Sequence, residues 1–438
     1  MTSTAKPLAM PERTAAEHAH ANRNVALILL WLVYTTSVLD RYAMGILAEP
    51  LKRDLGISDT VLGFLSGAVF GLFYATLAIP IARLADRTNR RNLVAAALTL
   101  WSAFTMACGA AGNAVQLALA RLFVGVGEAG SGPPSHSMLA DLFPVKERGR
   151  VMGIFASGTN LGILLAFVIG GWIASNWGWR ATFVALGVPG IVLAIAVMLL
   201  LKEPQRGQSD GHVASSTDRR SLGEVLRFAA GNPVLRNAYI AIALVTFCGS
   251  VMALWVPAFL IRAHGVSVSQ VGQALGLLFG VFGFVGTISV GWISDRLGKR
   301  DVRWRIAMPA VTQLVSWPLF AAALFANDFA TALILLVVPG ALITAAFGPT
   351  IAVAQTVAPI VMRATISALG IFFANVVGLI VGPQLVGVVS DLLAGGNPVR
   401  GLQLSLAIFS LAYVWSAFHF WRAAVHLKNS TQEVSQNG

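Results

Sequence analysis

Arg121-Leu-Phe-Val-Gly125-Val-Gly127-Glu128-Ala-Gly130 sets an arginine and a glutamate inside a run of apolar and small residues reaching from about Gln116 to Met138. A run of that length crosses about 30 Å of hydrocarbon as a helix. In such a helix each ionisable side chain costs roughly 2.5–3.5 kcal/mol at the bilayer centre and usually faces a cavity or a partner. Arg121 and Glu128 are two helical turns apart, so both point to one side, and Gly125 shares that side. The pair marks a substrate or ion site facing an internal cavity. The plainer alternative is a buried ion pair that only locks two helices together.

The rest of the chain repeats this setting. Of 438 residues, 56% are hydrophobic and 11% charged, about half the charge of an ordinary soluble protein. The apolar residues gather in twelve blocks: 25–47, 60–84, 92–111, 116–138, 150–173, 181–201, 236–261, 271–293, 306–326, 330–352, 364–389 and 401–424. The expected fold is an all-α membrane protein with twelve transmembrane helices in two pseudo-symmetric six-helix bundles. With both termini cytoplasmic, the cytoplasmic segments hold 24 of the 31 lysines and arginines and the outer loops five, leaving Arg41 and Arg121 in the membrane. That asymmetry sets the orientation. It also assigns the net charge of +12 to topology rather than to nucleic acid. Residues 1–24 lack the basic, apolar, small-residue order of a cleaved signal peptide, so the first block is expected to stay as a helix. Cys108 and Cys248 lie far apart in apolar blocks, which points to buried small hydrophobes and not to a disulfide or metal site. No cofactor is expected. The loops carry no Ser-His-Asp, metal-ligand or Walker-type pattern, so the chain does not read as an enzyme or an ATP-driven pump.

The organisation follows: a tail over 1–24, a first bundle over 25–201, a linker over 202–235, a second bundle over 236–424 and a tail over 425–438. The linker holds Gly207-Gln-Ser-Asp-Gly-His212 and Ser215-Ser-Thr-Asp-Arg-Arg220, which are flexible compositions. Residues 222–230 read either as an interfacial helix or as plain linker. The two halves repeat each other. Leu84-Ala-Asp86-Arg87-Thr-Asn-Arg90-Arg91 follows the second block, and Ile293-Ser-Asp295-Arg296-Leu-Gly-Lys299-Arg300 follows the eighth. Pro144-x-x-x-Arg148 and Pro359-x-x-x-Arg363 follow the fourth and tenth. Matching loops in matching order indicate duplication.

With these paired Asp-Arg loops the chain resembles the major facilitator superfamily over essentially its whole length. Within it, the chain is similar to the spinster-type lipid transporters. The residues that carry this are Leu39-Asp40-Arg41-Tyr42, Ala85-Asp86-Arg87-Thr-Asn89-Arg90, Val124-Gly-Val-Gly-Glu128-Ala129, Ala140-Asp141-Leu142-Phe143 and Lys202-Glu-Pro-Gln-Arg-Gly207. Ser37 stands where that family often has asparagine, and His136 where it often has proline. The resemblance implies a proton-linked or facilitative carrier of lysophospholipids or sphingosine-1-phosphate-like lipids, with Asp40, Arg121 and Glu128 as functional residues. It also implies that Asp86 and Arg90 hold the cytoplasmic ends together in the outward-open state, with Arg87, Asp295 and Arg296 in the same duplicated gate loops. The expected setting is a monomer in the inner (plasma) membrane of a bacterium.

From the residues alone, the first and fourth helices present Asp40, Arg121 and Glu128 around one cavity. Asp40 facing Arg121 is expected to stay ionised and act as gate or head-group latch. Glu128, drier and further from the cation, is expected to carry the proton. Arg41 and Ser37 are further candidates for the site. Away from their ends, the apolar blocks of the second half carry no charge. The candidate lining of that half is Thr246, Trp255, Phe347, Phe372 and Asn375. A charged wall facing an apolar one suits a ligand with a polar head and an oily tail, and guanidinium binds phosphate bidentately. A carrier of water-soluble organic anions or drugs is the alternative.

Overall fold

The computed structural model describes residues 12–207, 221–359 and 362–436. Among them every regular element is helical: α1 (Glu12–Leu55), α2 (Asp59–Ala85), α3 (Arg90–Gly109), α4 (Ala114–Glu128), α5 (Gly132–Leu142), α6 (Val145–Leu200), α7 (Leu222–Gly231), α8 (Pro233–His264), α9 (Val268–Gly298), α10 (Trp304–Leu324), α11 (Phe329–Ala341), α12 (Phe347–Val357), α13 (Thr365–Leu393) and α14 (Pro398–Asn429). Residues 1–11, the middle of the expected linker (208–220), residues 360–361 and the last two positions of the C-terminal tail lie outside the described residues. Among the described residues, nine helices are long and apolar enough to cross a membrane.

The helix starts are written locally. Ser58, Asn89, Asn113, Ser221, Asn232, Ser267, Asp328 and Asn397 each cap the helix that follows by accepting a backbone N–H. Such caps contribute about 0.5–2 kcal/mol each. Gly265 ends α8 in the left-handed region at φ 65°, where a Cβ is disfavoured.

Four of the expected blocks take a different form. Blocks 150–173 and 181–201 join into the single run α6, whose two arms meet at Gly178 with φ 82° and ψ 171°. Only glycine adopts that backbone readily. Block 116–138 divides into α4 and α5, because Pro133 and Pro134 start a new helix after a turn at 129–131. Block 330–352 divides into α11 and α12 around 342–346. The stretch at 222–230 is a helix, α7, whose Val225 and Ala229 pack with Leu235, Tyr239 and Ile366.

Large apolar side chains face outward all round, among them Leu199 at 77%, Ile334 at 71% and Val115 at 69% exposure. A water-soluble monomer does not present such a surface, whereas hydrocarbon wets it without cost. Inside, one apolar core runs through α1, α3, α6 and α8, and a second joins α8, α10 and α14.

Two of the close seams between the segments before and after the linker are lined by several glycines. In one, Gly272, Gly276 and Gly280 of α9 lie against Phe167, Leu164 and Val168 of α6. In the other, Gly63 and Gly67 of α2 lie against Leu379 and Pro383 of α13. Small residues let helix backbones approach within a bilayer. A Cβ at Gly276 would sit 2.6 Å from Val168 Cγ2, so Gly276→Leu overpacks the seam by about 1–3 kcal/mol. The expected result is a lowered melting temperature in detergent. Gly291→Leu, at a position with no neighbour within 4 Å, is the control and should melt like the parent.

Candidate functional site

Four helices bring polar groups to one interior point. On α1, Ser37, Asp40 and Arg41 share a face through their three- and four-residue spacing. On α4, Arg121 and Glu128 do the same. Thr105 comes from α3, and Phe70 and Tyr74 from α2. Asp40, Arg121, Glu128 and Ser37 are each 3% exposed or less.

Glu128 is the centre of the bonding. Its Oε2 accepts from Ser37 Oγ at 2.7 Å and from Arg41 Nε at 2.6 Å, and Arg41 Nη2 reaches Ser37 Oγ at 3.1 Å. Arg41 is the more accessible partner, with a side chain 20% exposed against 0% for Glu128. Asp40 Oδ2 accepts from Thr105 Oγ1 at 2.7 Å. Arg121 lies over the Phe70 ring, its Cζ 5.0 Å from the centroid. Arg41 lies 4.4 Å from the Tyr74 centroid and 5.5 Å from that of Phe70. Phe70 and Tyr74 stack at 5.5 Å, so both guanidinium groups rest on one aromatic shelf, where cation–π attraction is strongest when desolvated. Gly125 lets the shelf approach, since a Cβ there would be 2.7 Å from the Phe70 carbonyl oxygen.

The pairing differs from the expectation. No ion pair joins Asp40 to Arg121 among the described residues. The cation that holds Glu128 is Arg41, so Glu128 is not remote from positive charge. The physical reason is competition. Thr105 supplies the hydroxyl for Asp40, while the ring face of Phe70 holds the Arg121 guanidinium. Buried atoms without a hydrogen-bond partner remain: Arg121 Nε and Nη1, Asp40 Oδ1 and Glu128 Oε1. Unmet buried donors and acceptors of opposite sign side by side form a site that a polar ligand can satisfy.

In the second half, Trp255 is fully buried and its Nε1 donates to the Pro383 carbonyl at 3.1 Å, tying α8 to α13. Thr246 is half-buried, donates to Ile242 of its own helix and abuts Gly378. Phe347 lines a small apolar recess with Tyr239, Thr350 and Gly370. Phe372 is 40% exposed and packs edge-on against Phe373. Asn375 is half-buried at the end of its α-helical stretch.

Of the gate residues, Arg90 is buried and heavily bonded. Its Nε donates to Glu203 at 2.8 Å and its Nη1 to Ser137 at 2.8 Å and to Asp141 at 2.5 Å, while Nη2 donates to the Pro204 carbonyl at 2.9 Å. These bonds tie the start of α3 to the end of α5 and to the segment after α6. Removing one member of such a buried pair costs about 3–5 kcal/mol. Arg90→Ala should therefore lower thermal stability markedly in detergent, and Asp86→Ala, at an exposed position, should not. Arg87 and Asp295 are also exposed, and Arg296 lies over Trp292 at 5.0 Å.

Phe70, Tyr74 and Thr105 were missed by the sequence reading. Phe70 and Tyr74 share a face at four-residue spacing, but among 24 phenylalanines that spacing is no signal by itself.

An all-helical, apolar-surfaced bundle with a charged interior and paired helix seams is a multi-pass membrane transporter in form. Residues 30–383 match the Major Facilitator Superfamily, and the chain belongs to that family. It is 33% identical over 432 residues to an MFS-type efflux pump of Mycolicibacterium smegmatis, covering 97% of this chain and 99% of that one. It is 26% identical to Protein spinster homolog 1 of Xenopus laevis, over 94% of this chain and 82% of the other. In structure it is similar to a bacterial homolog of the human lysosomal transporter spinster in an inward-facing, unoccupied conformation, with a TM-score of 0.84, 27% identity and coverage of 92% and 97%.

Proposed function

We propose that this chain is a secondary active transporter that moves an amphipathic anionic or zwitterionic lipid, of the lysophospholipid or sphingosine-1-phosphate kind, by proton-coupled alternating access. The observation that carries the reading is Arg121: a cation 1% exposed, laid on Phe70, with two guanidinium nitrogens free of hydrogen bonds. Such a fork matches phosphate geometry. The charges in the second half's apolar blocks are Arg236 and Arg422, both exposed near block ends, which leaves surfaces such as Phe347 and Phe372 for a tail. The spinster likeness supports the same substrate class.

Coupling follows from the bonds of Glu128. As a carboxylate it holds Arg41 and Ser37. A proton on it removes the charge that holds Arg41, freeing that guanidinium to move or to meet the ligand. Thus the Glu128 carboxylate and an anionic head compete for Arg41, and a proton on Glu128 favours the head. Asp40 sits beside this exchange as a second carboxylate.

On this reading the bend at Gly178 and the two divided helices bring the nine long helices to twelve crossings, in six-helix halves over 25–201 and 236–424 joined by the segment 202–235. Both termini face the cytoplasm of a bacterium. The protein works as a monomer, and the gate loops at Asp86–Arg90 and Asp295–Arg296 lie on the cytoplasmic side.

The efflux-pump relative supports a second reading, a carrier of small water-soluble organic anions or drugs. Competition separates the two. Binding of labelled lysophospholipid to purified protein should be displaced by unlabelled lysolipid and unaffected by short-chain organic anions. Displacement by the short anions alone would transfer the assignment to the second reading.

A further inference from the structure

The end of the bundle where α1 runs into α2 is closed by bonds that cross between the halves. The first turn of any helix leaves backbone N–H groups without intrahelical acceptors. In α2 two of these are met from the other half of the chain. Asp391, in the last turn of α13, accepts from Asp59 N at 3.2 Å, Thr60 N at 2.7 Å and Thr60 Oγ1 at 2.7 Å. Beside it, Ser390 donates to Asp59 Oδ2 at 2.7 Å. Arg262, at the end of α8, donates to both Asp59 oxygens at 2.8 and 2.7 Å and to Glu49 of α1 at 2.5 Å. Lys52 and Arg53 complete the cluster on Asp59 and Glu49. Glu49 is 6% and Asp59 1% exposed, so the carboxylates are sealed beneath their cations. Four helices from both halves meet here.

Each of the two capped partners carries a π-helical segment just inside the latch, Phe64–Ala68 in α2 and Val376–Val381 in α13. A π-bulge interrupts the regular backbone ladder and is a known place for a helix to bend. Between bulge and latch the two helices touch through Gly63, against the Pro383 carbonyl. On the other side of the α2 bulge, Phe70 carries the Arg121 guanidinium. A bend at 64–68 therefore moves the latch relative to the aromatic shelf.

We infer that Asp391, acting with Arg262, is a positioning residue that holds this face shut, and that the face opens when Asp391 withdraws from the start of α2 while α2 and α13 flex at their paired π-bulges. The bonds are strong when made, because an ionised acceptor meets helix-terminal N–H groups. They are also replaceable by water once the face is wet, which suits a latch that must release in every cycle. The inference goes beyond the proposed function and does not depend on the substrate.

The test uses the full chain in lipid nanodiscs without substrate, since the native cysteines are both buried. Spin labels at Val115→Cys and Leu392→Cys, 69% and 76% exposed in the parent, report the latched face. Labels at Gly149→Cys and Lys299→Cys, both exposed, report the opposite face. Asp391→Ala should raise the population with a long distance at the latched face by about tenfold, as loss of a charged cap implies. The opposite pair should shorten in the same fraction of molecules. Thr60→Val, which removes one of the three bonds, should shift the populations the same way by roughly twofold to threefold. It serves if the alanine variant fails to fold. Unchanged distances in either folded variant would overturn the inference. So would lengthening at both faces at once, because that is loosening and not exchange. Either failure leaves the substrate assignment standing.

Discussion

Arg121→Ala should abolish transport while leaving a folded protein. Arg121 makes no hydrogen bond through Nε or Nη1 and is held by the Phe70 face at 5.0 Å, so truncation removes little that binds the helices together. What it removes is, among the described residues, the one buried cation without an ion pair to a carboxylate. Losing a desolvated charge partner costs roughly 2–5 kcal/mol of binding, or about 30-fold to several thousand-fold in affinity for an anionic head. Arg121→Lys keeps the charge but not the planar fork that stacks on Phe70 and grips two oxygens, so an intermediate loss of roughly tenfold is expected. Equilibrium binding of labelled lysophospholipid to the purified variants measures both. Parent-like affinity in Arg121→Ala would remove the head group from this position.

The second large effect is expected at Glu128. Glu128→Gln preserves the shape and an oxygen for Ser37 and Arg41, but its amide carries no charge and takes no proton. Substrate exchange across the membrane should survive, because rocking of the halves needs no net proton movement. Accumulation driven by a pH gradient should fall to the level of passive equilibration. Counterflow and gradient-driven uptake measured on the same vesicles separate these. Loss of both would make Glu128 a binding group and not the coupling group. Ser37→Ala, which removes one of the two bonds to Oε2 at 2.7 Å, should weaken coupling less than Glu128→Gln does.

That Asp40, Arg121 and Glu128 turn toward one interior point was legible from charges standing where hydrocarbon should be, at spacings that share a helix face, while Arg41 and Ser37 were only further candidates. Their pairing was not legible. Whether Glu128 meets Arg41 or stands apart depends on how α1 is rotated against α4, and residue spacing within either helix is silent on that. The division of α4 from α5 was marked by Gly130, Gly132 and the two prolines. The π-helical segments of α2 and α13 carry no comparable mark. The latch was beyond reach for a different reason. Arg262 lies 213 residues from Glu49, and Asp391 lies 332 from Asp59. In the sequence each reads as an ordinary loop-flanking charge. Only the meeting of helices from both halves gives them partners. Trp255 shows the converse: a large aromatic that suited a ligand wall has its indole N–H bonded to Pro383.

The most direct test of the account is uptake of labelled lysophospholipid into sealed proteoliposomes, with and without an imposed pH gradient. Accumulation above equilibrium is expected only when the gradient is present, and none with the Arg121→Ala protein. Gradient-driven accumulation of short-chain organic anions, with no lysophospholipid flux under either condition, would contradict it.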